Sequence, residues 1–167
     1  LRGDLLKEVD KLSKLNTIDY ILIEASGVSE PIPIAMTFVL YDETLGIDLT
    51  EKTRLDTMVT VVDAHRFWSD FGEGSELLER QQQTDIEEED IMDLIIEQIE
   101  FCNVVLLNKC DLLTEEQLKQ VEVVIRTLQP EAKLLKSVKG VVPPSEFLNT
   151  NSFDFEKAYN SAGWIKE

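Results

Sequence analysis

The chain has 167 residues, 43% hydrophobic and 29% charged, a balance that suits one folded domain with a real core and argues against wholesale disorder. Sixteen Lys and Arg against 33 Asp and Glu leave a net charge of -17, a field that repels phosphate backbones and speaks against a nucleic-acid partner. No apolar run reaches the ~18 residues of a membrane span, no signal segment opens the chain, and two cysteines make no disulfide framework, so a soluble protein of the reducing cytoplasm is expected, with no membrane partner.

Leu5, Leu6, Val9, Leu12 and Leu15 recur at helical spacing, which predicts an amphipathic helix from about Asp4 to Leu15. Ile18 to Ile23 is a short, mostly apolar run of the kind buried on both faces of a parallel sheet. Pro31 and Pro33 open a second apolar segment through Leu40, proline being tolerated in a first helical turn. Met58 to Val62, β-branched and ending at Asp63, reads as the next strand. Asp85 to Phe101 carries a stripe of Ile91, Leu94, Ile95, Gln98 and Ile99 and reads as a helix, followed by a strand at Val104 to Leu107. Thr114 and Gln117 form a capping box for a helix that runs to Pro130, and Ala132 to Ser137 supplies a fourth strand. The tail from Pro143 to Glu167 reads as a last helix and an extension, so residues 1–142 and 143–167 are expected to be distinct units.

Strands alternating with long helices imply right-handed crossovers and an α/β fold with a parallel sheet. Ligands bind such sheets at the carboxyl ends of the strands, which here are Glu24, Asp63, Asn108 and Ser137. Asn108-Lys109-Cys110-Asp111 follows the third expected strand, and N-K-x-D is a guanine reader with a physical basis. The aspartate can accept from the ring N–H and the exocyclic amine of guanine; adenine has no such donor pair. The lysine stem can lie across the base, and the asparagine can tie the loop to its neighbours. The bland alternative is a polar turn that caps the next helix. Ser137, Val138 and Lys139, with Gly140, follow the last strand, where backbone N–H groups can close a base pocket.

Glu24-Ala25-Ser26-Gly27 follows the first expected strand. A carboxylate at a strand tip can hold Mg²⁺, usually through water, and a glycine three residues on lets its N–H approach a terminal phosphate. Taken alone, this pattern is equally a turn. Cys102 and Cys110 flank a strand spanning ~20 Å and are expected to be separate thiols. His65, the only histidine, follows a strand end and could be a metal ligand, although a lone histidine usually is not, and the acidic run from Asp85 to Asp90 is more readily a solvated first helical turn than a cation site.

The run Ile21-Leu22-Ile23-Glu24-Ala25-Ser26-Gly27-Val28-Ser29-Glu30-Pro31 resembles the Walker B region of the CobW-type P-loop GTPases, in which glutamate replaces the usual aspartate. Val61-Val62-Asp63-Ala64 resembles the next strand end of that family, and Gln98 to Asp111 its guanine-specificity segment. Leu1 to Leu6 resembles the residues after its C-x-C-C metal motif, and Ser161 to Glu167 its linker to a C-terminal domain. The resemblance implies a partial P-loop NTPase-like, Rossmann-like three-layer fold. It further implies GTP and Mg²⁺ as ligands and zinc or cobalt as cargo for a client metalloprotein. Glu24 and Gly27 would serve catalysis, Glu24 as the Mg²⁺ ligand, and Asn108, Lys109 and Asp111 would select guanine. Neither G-x-x-x-x-G-K-[ST] nor C-x-C-C occurs in the sequence, so the chain is expected to be the second half of such a GTPase domain. The competing expectation is a non-catalytic interaction module that retains the fold without turnover.

Overall fold

The computed structural model describes residues 2–15, 17–25, 29–39, 41, 43, 45–71 and 86–159. In chain order these form α1 (Arg2–Ser13), α2 (Pro31–Val39), β1 (Val59–Asp63), α3 (Ala64–Phe71), α4 (Ile86–Glu100), β2 (Val104–Asn108), α5 (Glu115–Leu128), β3 (Lys133–Lys136) and α6 (Phe155–Tyr159). Two single-turn 3₁₀ segments, Cys110–Leu112 and Pro144–Glu146, lie between them.

The three strands form one sheet in the order β1-β2-β3, with both pairs parallel. Parallel pairing follows from sequence: a helical connection separates each strand from the next, and the crossover returns the chain in the same direction. Val104 to Leu107 on the central strand are all buried, as expected for a strand with layers on both faces. Val62, Val105 and Leu107 face a core closed by Ala64 and Phe67 of α3, Ile99 of α4 and Val121 and Ile125 of α5. Each such Val, Leu, Ile or Phe side chain, fully buried, contributes roughly 1.5–3 kcal/mol. The start of α5 is fixed as its sequence predicts: Thr114 Oγ1 accepts from Gln117 N, and Gln117 Oε1 accepts from Thr114 N at 2.9 Å. A second core joins Leu6 and Val9 of α1 to Phe38 of α2 and Leu49.

The run Ile18–Ile23, expected as a strand, belongs to no strand among the described residues. An apolar run becomes a buried strand only where a backbone neighbour and two covering layers meet it. Here Leu22 is 74% exposed and only Ile21 reaches a core, while Val61 of β1 is 63% exposed. Tyr20 instead anchors the run by donating from its hydroxyl to Asp56 Oδ2 at 2.8 Å.

Asp56 is a buried junction for three parts of the chain. Besides Tyr20, its carboxylate accepts from Thr150 N at 3.1 Å and Asn151 N at 2.7 Å, and its own carbonyl accepts from Phe153 N at 2.9 Å. Arg54 lies 3.7 Å away and donates to the side chains of Asn149 and Asn151. Asn149 and Asn151 adopt φ of 55° and 51°, which asparagine tolerates better than most residues. Phe153 then packs on Phe101 with ring centroids 6.4 Å apart.

Burial works against the Asp56 charge, but the Asn151 and Thr150 N–H groups and the Tyr20 hydroxyl outweigh it and hold the carboxyl below its ordinary value. A carboxyl depressed in the folded state lends stability above its unfolded pKa, and that stability is lost as pH falls through the folded pKa. The Asp56 contribution should therefore be complete above the ordinary carboxylate range and be lost progressively as pH falls below it. Asp56→Ala is expected to cost roughly 2–4 kcal/mol in urea unfolding at pH 7 and to release the amides of Thr150 and Asn151 to hydrogen exchange. A variant as stable as the parent, with those amides still protected, would contradict the junction.

Candidate functional site

The site lies where the strands end. Asp63 and Asn108 are direct register partners, and Ser137 is drawn beside them because its N–H donates to Leu107 O at 2.8 Å. Three chain segments distant in sequence thus meet along one rim, Asp63 and Asn108 as the last residues of their strands and Ser137 as the first after the third.

Asn108 is the clasp of this rim. Its Oδ1 accepts from Ser137 Oγ at 3.0 Å and from Gly140 N at 2.9 Å, tying the end of β2 to the loop after β3. Cys110 N donates to Ser137 O at 3.2 Å, a second tie between the same segments. Ser137 is buried, whereas Val138 and Lys139 are exposed on the loop. Lys139 and Gly140 adopt φ of 54° and 69°, so the loop turns back sharply, and Gly140 does so without the Cβ penalty.

Lys109 has φ 60° and ψ 33°, a left-handed conformation that costs a residue with a side chain on the order of 1 kcal/mol. It ends the strand abruptly and carries Lys109 away from the strand line. Its Nζ lies 2.5 Å from Asp63 Oδ2. The other oxygen of Asp63 accepts from the N–H groups of His65 and Arg66, each at 3.1 Å, and so caps α3. Burial opposes the Asp63 charge, but Lys109 and these two N–H groups overcome it and hold the carboxyl below its ordinary value. Asp111 sits in the 3₁₀ turn just beyond, with its side chain exposed. The rim thus combines a clasped loop, a lysine whose Nζ is held by Asp63 and an exposed carboxylate two residues on.

Glu24 is exposed on the irregular segment after Ile23, not at a strand tip as expected, because that run does not enter the sheet. Among the described residues no hydrogen bond or ion pair joins it to Asn108, Lys109 or Asp111. Gly27 lies outside the described residues, as do Asp85 and the side chains of 86–90 from the acidic run.

His65 is exposed at the start of α3, and no group of three or more His, Cys, Asp or Glu that could hold a metal occurs among the described residues. Both cysteines are free thiols. No described helix is long and apolar enough to cross a membrane.

Sequence reasoning placed Asp63 at a strand end without giving it a role at this rim. The available signal was its position two and three residues before His65 and Arg66, which is that of a helix cap. Gly140 belongs to that loop in sequence, but its bond to Asn108 is a tertiary fact.

A family model described as CobW/HypB/UreG, nucleotide-binding domain, matches residues 1–136. The zinc-regulated GTPase metalloprotein activator 1 of Dictyostelium discoideum is 48% identical over 168 residues, which is 100% of this chain and 35% of that protein. The protein of the same name from Schizosaccharomyces pombe is 28% identical over 93% of this chain and 33% of its own length. The zinc chaperone CobW of Pseudomonas aeruginosa is 27% identical over 84% of this chain and 37% of its own length. The chain thus spans about a third of the length of these curated relatives. No solved structure matches it.

Burial pushes the Cys102 thiol up to about 11, and burial also raises Cys110, which is less enclosed. Native thiol titration at pH 8 should therefore label Cys110 slowly and Cys102 only on unfolding, with no linked pair. Rapid labelling of Cys102, or one zinc ion lost on replacing both, would contradict the strand that separates them.

Proposed function

Because the chain belongs to the CobW/HypB/UreG nucleotide-binding domain family, we propose that it forms the base-reading part of a GTP-binding and GTP-hydrolysing metallochaperone. Hydrolysis by the whole protein is coupled to delivery of zinc or cobalt to a client metalloprotein in the cytoplasm. The observation that carries this reading is the rim at the end of β2, where Asn108 clasps the Ser137–Gly140 loop and Lys109 is held aside by Asp63. The names of the relatives, which pair GTPase with zinc, support the wider assignment.

On this reading Asp111 accepts the ring N–H and the exocyclic amine of guanine, and the Lys109 stem lies against the base. Asn108 shapes the pocket through the loop, and Ser137, Val138 and Lys139 close it with backbone groups. Adenine would leave the Asp111 carboxylate facing no donor pair, at a cost of several kcal/mol.

Glu24 suits a magnesium ion held mainly by water and phosphate oxygens, since Mg²⁺ commonly takes only one or two carboxylates from the protein. Its exposed carboxylate, with no metal-binding cluster among the described residues, fits that sparse donor set better than an all-protein cage. Bound magnesium supplies charge neutralisation at the β- and γ-phosphates. Gly27 is assigned to the terminal phosphate. A net charge of -17 disfavours nucleic acid as a partner.

The 167 residues contain no glycine loop with its lysine, so this chain alone should release phosphate from GTP at background rate. Turnover like that of an ordinary GTPase would show the phosphate site to be elsewhere. In the full-length protein, Asp111→Asn replaces one acceptor by a donor and should weaken GTP by about tenfold to a hundredfold. Xanthine presents a carbonyl where guanine has its amine, so preference should move toward XTP in competition binding. Equal loss for both nucleotides would make Asp111 a loop support rather than a base reader.

A further inference from the structure

The ion pair between Asp63 and Lys109 joins two strand ends that lie 46 residues apart in sequence. We propose that Asp63 is a positioning residue for nucleotide recognition, holding the Lys109 side chain across the end of the sheet as the surface on which the guanine ring rests. This inference depends on the guanine reading of Asn108, Lys109 and Asp111 given above.

The carboxylate is itself firmly held, which is what an anchor requires. Oδ1 accepts from His65 N and Arg66 N, both at 3.1 Å, so the group cannot rotate without uncapping α3. Oδ2 is left to face Lys109 Nζ. Register sets the direction of reach: Asp63 pairs with Asn108, and Lys109 follows immediately with a left-handed backbone. The lysine therefore reaches along the strand ends toward β1, with its side chain still half open to solvent.

The Lys109 side chain is 52% exposed and that of Asp63 32%, so the pair contributes little to fold stability. Its value is orientation. A free lysine samples many rotamers and loses them when a base docks on its stem; a lysine already paired has lost them beforehand. Among the described residues no other carboxylate is within ion-pair reach of Lys109.

The test uses the full-length protein and equilibrium binding of GDP with magnesium. Asp63→Asn keeps the helix cap, because asparagine caps as well as aspartate, but removes the charge that holds Lys109. The expected result is GDP binding weakened about threefold to tenfold with an unchanged melting temperature. Lys109→Ala should weaken binding as well, and adding Asp63→Asn to it should weaken binding no further. Asp63→Ser, which also caps but cannot reach Nζ, gives the same comparison if the asparagine variant fails to fold. Wild-type affinity in both Asp63 variants, or the same loss with and without Lys109, overturns the positioning role while leaving the guanine reading intact. A parent protein that binds no GDP overturns that reading and the inference with it.

Discussion

The parallel register of β1, β2 and β3 is the constraint on which the site depends. Because all three strands run the same way and stop together, Asp63, Asn108 and Ser137 emerge along one rim without any local sequence relation between them. An antiparallel neighbour would send one of these residues to the far end of the sheet. The burial of Val104 to Leu107 makes the register costly to shift, since slipping by one residue would exchange the side chains facing the two layers. The core thus sets the geometry of the rim.

Among the described residues, four with side chains adopt positive φ, and they divide between two polar junctions. Lys109 and Lys139 lie at the strand-end rim, and Asn149 and Asn151 at the Asp56 junction. Such conformations persist where surrounding bonds over-determine them. At the rim these bonds include the Asn108 clasp and the Asp63 ion pair; at Asp56 they are the amides of Thr150 and Asn151 and the Arg54 fork. The two junctions differ in purpose. Asp56 is buried and ties Tyr20 to the segment before α6, whereas the rim keeps Asp111 and Lys109 open to solvent.

Much of this is legible in the sequence. The largely β-branched run at Met58–Val62, the apolar run at Val104–Leu107 and the Thr114–Gln117 box each carry a signal complete within a few residues, and each forms the expected element, the first as a strand over Val59–Asp63. Asn108 was expected to tie its loop to neighbours, and it does so through Ser137 and Gly140. The Ile18–Ile23 run failed because strand formation needs a partner that composition cannot supply, and its side chains are largely exposed. Helix α3 went unread because eight residues, Ala64–Phe71, offer little more than two turns of periodicity, although Asp63 gave its cap. The Asp56 junction was invisible for a different reason: its partners Tyr20, Thr150 and Asn151 are brought together only by the fold.

Guanine selection at the end of β2 is the central claim, and nucleotide discrimination tests it most directly. Competition binding of GDP, IDP and ADP to the full-length protein separates the two donors of the base, since hypoxanthine keeps the ring N–H and lacks the amine. Two hydrogen bonds to Asp111 predict that IDP binds about tenfold to a hundredfold more weakly than GDP and ADP more weakly still. Equal affinity for all three would contradict base reading by this rim.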